Sequence, residues 1–261
     1  MLRNLFCIFI AVTWTSVLFP VTVIVSILTL DVSTSLFVVQ RIWSPVLLWA
    51  GGAQFKVIGR EKADFTKPAI YVANHQSTLD IPALFVALPV AFRFVAKQQL
   101  KYVPFMGWYM SMAKFVFIDR RNHKRAVKSL ELAANRIRSG ISIAMFAEGT
   151  RSDDCAIMPF KKGPFALAMK AGVPVVPVAI EGSGKLMPKN SWNITPGPVT
   201  VMVGEPIDPA QFGDDREALM KAVRDRIIDL SMQMGGKGGD KSTVVAQKGA
   251  EGVARRDQAT A

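Results

Sequence analysis

Lys114 to Phe146 reads "KFVFIDRRNHKRAVKSLELAANRIRSGISIAMF". It begins and ends on short β-branched and aromatic runs, "KFVFI" and "ISIAMF", of the kind that form strands. Between them Ala126, Leu130, Ala133 and Ile137 recur on one face of a helix whose other face carries Arg and Lys, and Gly140 stands where a C-cap belongs. Strand, amphipathic helix and strand make a βαβ unit, which joins parallel strands.

The same texture extends in both directions from Gly51-Gly52 onward. "QFKVIG", "AIYVA", "FRFVA", "PVVPVAI" and "VTVMVG" are further candidate strands. "FKKGPFALAMKAG" reads as a helix entered through Gly163-Pro164 and closed at Gly172, and "DDREALMKAVRDRIIDLSMQM" as a last amphipathic helix. The expected fold is α/β, a mixed, substantially parallel sheet flanked by helices, with an N-terminal hydrophobic helical membrane anchor. The expected organisation is a membrane-associated helical pair over 1–52, the α/β domain over 53–234, and a glycine-rich, disordered tail over 235–261. No internal repeat is evident.

From Asn4 to Leu30 there is no charged residue, enough to cross a hydrocarbon layer that needs roughly 20 apolar residues. The stretch is longer than a usual signal-peptide core and lacks a small-residue cleavage site, so membrane attachment is the reading. Pro20 interrupts a straight span, and a second apolar stretch after Asp31 carries Arg41, Trp43 and Trp49. Whether the pair spans or re-enters the bilayer stays open.

Basic residues exceed acidic ones by twelve. From Gly235 onward there are five basic and three acidic residues, so the excess belongs to the body of the chain. Such a charge suits an anionic membrane surface, a phosphorylated substrate or nucleic acid. Two cysteines, Cys7 and Cys155, give neither a disulfide framework nor a cysteine zinc site, and two histidines without a cluster give no transition-metal site.

"NHQSTLD", Asn74 to Asp80, follows the candidate strand "AIYVA" and sets His75 five residues before Asp80. An imidazole can take a proton from a hydroxyl near neutral pH, and a carboxylate on its other nitrogen fixes the tautomer and stabilises the cation. Ser77 or Thr78 would cap the next helix, with Asp80 in its first turn facing back. On spacing alone, an ordinary capped helix with a loop histidine explains the same letters.

"FAEGTRS", Phe146 to Ser152, leaves another strand and places Glu148, Gly149 and Arg151 within one turn. A guanidinium suits a phosphate monoester, although a surface salt bridge is the commoner outcome for such a turn. Arg93 to Lys128 holds nine Lys or Arg against one Asp. Arg120 after "KFVFI" and Lys97 after "FRFVA" share the strand-end edge where α/β sheets bind ligands. Tyr102, Phe105, Trp108 and Tyr109 interleave with this charge and suit a membrane-facing surface or the core better than a nucleic-acid platform.

In combination these blocks resemble the glycerolipid acyltransferases. The family's four ordered blocks have counterparts in "NHQSTLD", "KFVFIDR", "FAEGTRS" and "VPVVPVAI", over about Phe55 to Ile207. The resemblance implies His75 as general base with Asp80 as its partner. It implies Arg120, Glu148, Gly149, Thr150 and Arg151, with Lys97 beside them, as binders of a glycerol phosphate, and Pro177 as a residue shaping the acyl-donor side. Lys161 and Gly163, in "FKKGPFALA", are secondary candidates. Lys114 stands where the second block often has glycine, Ala147 where the third often has proline, and Gln99 where glutamate is frequent.

The implied reaction moves an acyl group from acyl-CoA or acyl-acyl carrier protein to 1-acyl-sn-glycerol 3-phosphate, forming phosphatidic acid without cofactor or metal. The implied partners are membrane lipids and the acyl donor, with no nucleic acid and no assigned oligomeric state. Arg3 and the basic body point to the cytoplasmic face of the inner membrane. The competing readings are a sibling acyltransferase with a different lysolipid acceptor, and a non-catalytic membrane protein that binds anionic lipids.

Overall fold

The computed structural model describes residues 2–119, 123–191 and 193–240, with backbone alone at 123–127. All seven expected strands form: β1 Ala53–Ile58, β2 Ile70–Ala73, β3 Phe92–Lys97, β4 Val116–Ile118, β5 Ser142–Phe146, β6 Val175–Glu181 and β7 Gly197–Val203. They make one sheet in the order β1-β7-β6-β2-β5-β3-β4. Neighbours are parallel except β6 and β7, so the sheet is mixed as expected.

The α-helices around it, among the described residues, are α1 Leu2–Thr29, α2 Val32–Val38, α3 Ser44–Gly51, α4 Asp80–Ala87, α5 Met106–Met112, α6 His123–Arg138, α7 Gly163–Ala171, α8 Ser183–Leu186 and α9 Arg216–Gln233, with a π-helical stretch Val39–Trp43 joining α2 to α3. The βαβ unit read from sequence is β4–α6–β5. Gly172 closes α7 in the left-handed conformation, as its position predicts.

β2 and β6 are buried along their whole length because helices cover both faces, which is why they read as continuous apolar runs. Alternation along β2 splits the core in two. Ile70 and Val72 join Ala133, Phe165 and Ile227 on one face, while Tyr71 and Ala73 join Leu84, Leu36 and Leu48 on the other. The N-terminal helical pair therefore completes the second face. Its polar side chains point inward: Arg93 donates to Ser33 Oγ at 2.9 Å, Ser35 Oγ meets Tyr109 Oη at 3.1 Å, and Gln40 donates to the carbonyls of Leu88 and Val90.

α1 runs unbroken through Pro20 and packs on α2–α3 through Trp43 Nε1 to Thr15 Oγ1 at 2.9 Å and Trp14 Nε1 to Ile42 O at 3.3 Å. Its outer side, including Leu5, Phe9, Val12, Ile24 and Ile27, is exposed. The helix is long and apolar enough to cross a membrane, and with that apolar side uncovered it is a membrane-associating element. The aromatic segment divides: Tyr109 packs inward, whereas Tyr102, Phe105 and Trp108 are exposed, Phe105 lying edge-on to Phe19 of α1.

Two local expectations are corrected. The segment from Gly235 does not leave the body at once: Gly236 N bonds Ser231 O at 2.9 Å, Ile157 N bonds Gly238 O at 2.8 Å, and Arg224 donates to Asp240 O at 2.6 Å. The buried Arg224 needs carbonyl acceptors, and Ile157, Met158 and Asp240 supply them. The rest of the tail, 241–261, lies outside the described residues. At α4 the N-cap is Leu79, without a side-chain cap. Ser77 Oγ accepts from Leu79 N at 3.3 Å, short of the helix's own amides, and donates to Met187 O at 2.8 Å, while Thr78 Oγ1 accepts from Arg151.

Candidate active site

The strands that run parallel to β2 end at one edge, and the register there builds the site. Ala73 is level with Phe146 of β5 and with Val178 of β6. Two residues past that level, His75 and Glu148 fall side by side, and His75 N donates to Glu148 Oε1 at 2.9 Å. Asn74 bridges to the longer β6, accepting from Ile180 N at 2.8 Å and donating to Ile180 O at 2.9 Å. This side-chain amide fixes the direction in which the chain leaves β2.

His75 and Asp80 come together as their spacing suggests. His75 Nδ1 lies 2.8 Å from Asp80 Oδ2. The same oxygen accepts from Gln76 N at 2.7 Å and Ser77 N at 2.8 Å, so three donors converge on it and Nδ1 must carry its proton. That tautomer leaves Nε2 as the basic nitrogen. Asp80 is 0% exposed, while the His75 side chain keeps partial access to solvent. The imidazole stacks on Phe146, ring centroids 3.8 Å apart and planes 9° from parallel, which sets its orientation from the other side.

Glu148, expected among the glycerol-phosphate ligands, is held from within the fold by main-chain amides. It is 3% exposed, and its second oxygen accepts from Met158 N at 3.3 Å. Each oxygen thus accepts from one main-chain donor, and Glu148 ties the exits of β2 and β5 to the loop at Met158. Burial pushes its carboxyl up to about 8, against the pull of the two amides.

Gly149 takes a φ of +78°, which a side chain resists, and turns the chain so that exposed Thr150 and half-buried Arg151 emerge. Arg151 donates to Thr78 Oγ1 at 3.0 Å, tying the exit of β5 to that of β2. Ser152 N donates to His75 O at 2.8 Å and closes the link. Lys97 is exposed at the end of β3, with β5 between it and β2. Arg120 lies outside the described residues.

Pro177 is level with Val72 in the buried interior of β6 and accepts from Gly204 N at 2.8 Å. It is buried, and its missing N–H falls on the side where the β7 ladder begins only at Val178. Lys161 N bonds Ala147 O at 2.8 Å, anchoring the segment before α7 beneath the turn. Ala147 keeps an N–H that bonds Ala73 O at 3.3 Å, a donor that proline would lack. Lys114, at a position where the resemblance expects glycine, has φ +61°.

Sequence reasoning passed over Phe146, Asn74, Thr78 and Ser183 as contributors. Phe146, Asn74 and Thr78 lie inside the quoted blocks, but what each faces depends on strand register. Ser183 donates to Asp80 Oδ1 across 103 positions of sequence, and no local pattern signals that.

A family model described as Acyltransferase matches residues 54–181. A 1-acyl-sn-glycerol-3-phosphate acyltransferase of Saccharomyces cerevisiae is 34% identical over 188 residues, 70% of this chain and 62% of that protein. One from Chlamydomonas reinhardtii is 37% identical over 185 residues, 68% of this chain and 55% of its own length. The chain thus spans less than two thirds of these curated relatives. The crystal structure of the 1-acyl-sn-glycerophosphate (LPA) acyltransferase PlsC from Thermotoga maritima superposes with a TM-score of 0.79 at 31% identity, covering 90% of this chain and 95% of that one. With the first and third blocks joined at one sheet edge and this similarity running through nearly the whole of a solved member, the chain belongs to the glycerolipid acyltransferase family.

Proposed function

We propose that this protein is a 1-acylglycerol-3-phosphate O-acyltransferase. It transfers a fatty acyl group from a thioester donor, acyl-CoA or acyl-acyl carrier protein, to the sn-2 hydroxyl of 1-acyl-sn-glycerol 3-phosphate, and forms phosphatidic acid. The observation that carries this reading is the His75–Asp80 contact of 2.8 Å, with Nε2 left as the free base.

His75 Nε2 takes the hydroxyl proton as the oxygen attacks the thioester carbonyl, and Asp80 steadies the imidazolium. The tetrahedral intermediate then collapses, expelling the thiolate, which receives the proton from His75. Arg151 and Thr150, at the exit of β5, meet the acceptor phosphate, with Lys97 and Arg120 as further cationic ligands. Pro177 acts from within the core, by holding β6 in place on the donor side. α1 and the exposed aromatics keep the site at a bilayer surface, on the cytoplasmic face of the membrane, where the acceptor already lies.

The test is thioester cleavage by purified protein in detergent micelles, following CoA release from acyl-CoA with and without 1-acylglycerol 3-phosphate. Release that depends on the acceptor and disappears in His75→Ala supports the reaction and the base. A panel of acyl carrier protein donors and other lysolipids distinguishes a sibling specificity. No release with any pair leaves lipid binding as the function.

A further inference from the structure

The two oxygens of Asp80 are held very differently. Oδ2 is fixed locally, by His75 Nδ1 and by the amides of Gln76 and Ser77. Oδ1 receives the hydroxyl of Ser183, delivered from the far side of the site by the chain that leaves β6. Asp80 and Ser183 are both 0% exposed, so that hydrogen bond is shielded from bulk solvent.

The path to Ser183 is specified by the fold. Gly182 has φ +91°, and a Cβ there would collide with Pro198 O. Only glycine lets β6 end with a turn that tucks the next side chain under the carboxylate. The backbone oxygen of Ser183 is also engaged, by Met187 N at 2.9 Å, so the residue is fixed from both sides.

We infer that Ser183 is a positioning residue for acyl transfer: its hydroxyl sets the plane of the Asp80 carboxylate, and through it the tautomer and aim of His75. The inference rests on the His75–Asp80 reading above. Without the hydroxyl, a carboxylate pinned at one oxygen can rotate, and Nδ1 loses its aligned acceptor. A small misalignment of a general base costs up to about 100-fold in rate.

The experiment compares Ser183→Ala and Ser183→Thr with wild type as full-length protein in micelles, using acyl-CoA and 1-acylglycerol 3-phosphate. The expected result for Ser183→Ala is a kcat lower by roughly 10- to 100-fold with both KM values unchanged. The acidic limb of the kcat/KM profile, which reports the base, should move to lower pH because a rotated carboxylate stabilises the imidazolium less. Ser183→Thr, which keeps the hydroxyl, should recover most of the rate. In a His75→Ala background, Ser183→Ala should change the residual rate by less than about twofold, since it acts through the imidazole.

Wild-type kcat with an unmoved pH profile in Ser183→Ala overturns the inference, as does a rate loss that is equal in the His75→Ala background. If the alanine protein does not fold, Ser183→Cys, a weaker donor of similar volume, carries the same two readouts. Activity retained by His75→Ala would instead bring down the underlying reading, so the two failures are distinguishable.

Discussion

Two strand exits lie side by side at the catalytic edge, and each carries a carboxylate, yet the two carboxylates do opposite things. At the β2 exit, Asp80 presents one oxygen to the imidazole while backbone amides and Ser183 hold it in place. At the β5 exit, Glu148 turns beneath the chain and spends both oxygens on the amides of His75 and Met158. In the proposed mechanism the first carboxylate orients the base, while the second braces the backbone beside it. A charged block at a strand end therefore divides into outward and inward members, and the φ of Gly149 is what lets Arg151 face out while Glu148 stays in.

The largest expected effect tests the first exit. His75→Ala should lower turnover by about 10² to 10⁴ or more while leaving the thermal midpoint within a few degrees of wild type. Full activity in the variant would remove the distinction between the exits. Next, Arg151→Ala should raise the apparent KM for the phosphorylated acceptor roughly 10- to 100-fold, the scale of hydrogen bonds to a charged group. An equal rise with a phosphate-free acceptor would place Arg151 with Glu148, among the supports.

Glu148→Gln tests the second exit through stability. One of the two amides loses its acceptor, at about 1–3 kcal/mol by chemical denaturation, with little change in acceptor KM. The pH dependence has a definite sign. Glu148 titrates at about 8 when folded against an ordinary 4.5, so the folded state binds more protons between these values. Its contribution is complete below about 4.5, declines as pH rises, and is lost above about 8. The glutamine variant should flatten that decline; an unchanged slope would show that Glu148 is already ionised. Smallest, and at neither exit, Lys114→Gly should stabilise the protein by roughly 0.5–1 kcal/mol by relieving a positive φ, read as a higher denaturation midpoint with unchanged kcat.

The strands were legible because each is a short apolar run between polar punctuation, α6 and α9 because they are amphipathic at helical spacing, and α7 because Gly163-Pro164 opens it and Gly172 closes it. The His75–Asp80 pair was legible because both partners lie within one strand-to-helix turn. The contact of Glu148 with His75 N was not legible, because it depends on the pairing of Ala73 with Phe146, a long-range register that no local spacing encodes. Ser183 escaped for the same reason. Gly235–Asp240 looked like the start of a solvated tail because the acceptors that Arg224 requires are backbone carbonyls, which leave no mark on side-chain composition.

The inward-facing polar side chains of the N-terminal pair bear on how the protein can be handled. A version starting at Ala53, the obvious route to a detergent-free preparation, would strip Leu36 and Leu48 from the second core face and leave Arg93 without its Ser33 acceptor. Trimming the greasy helices would thus exchange one hydrophobic surface for another. Solubility is better sought by replacing outward residues of α1, such as Phe9 and Ile24, with polar ones, since both are exposed.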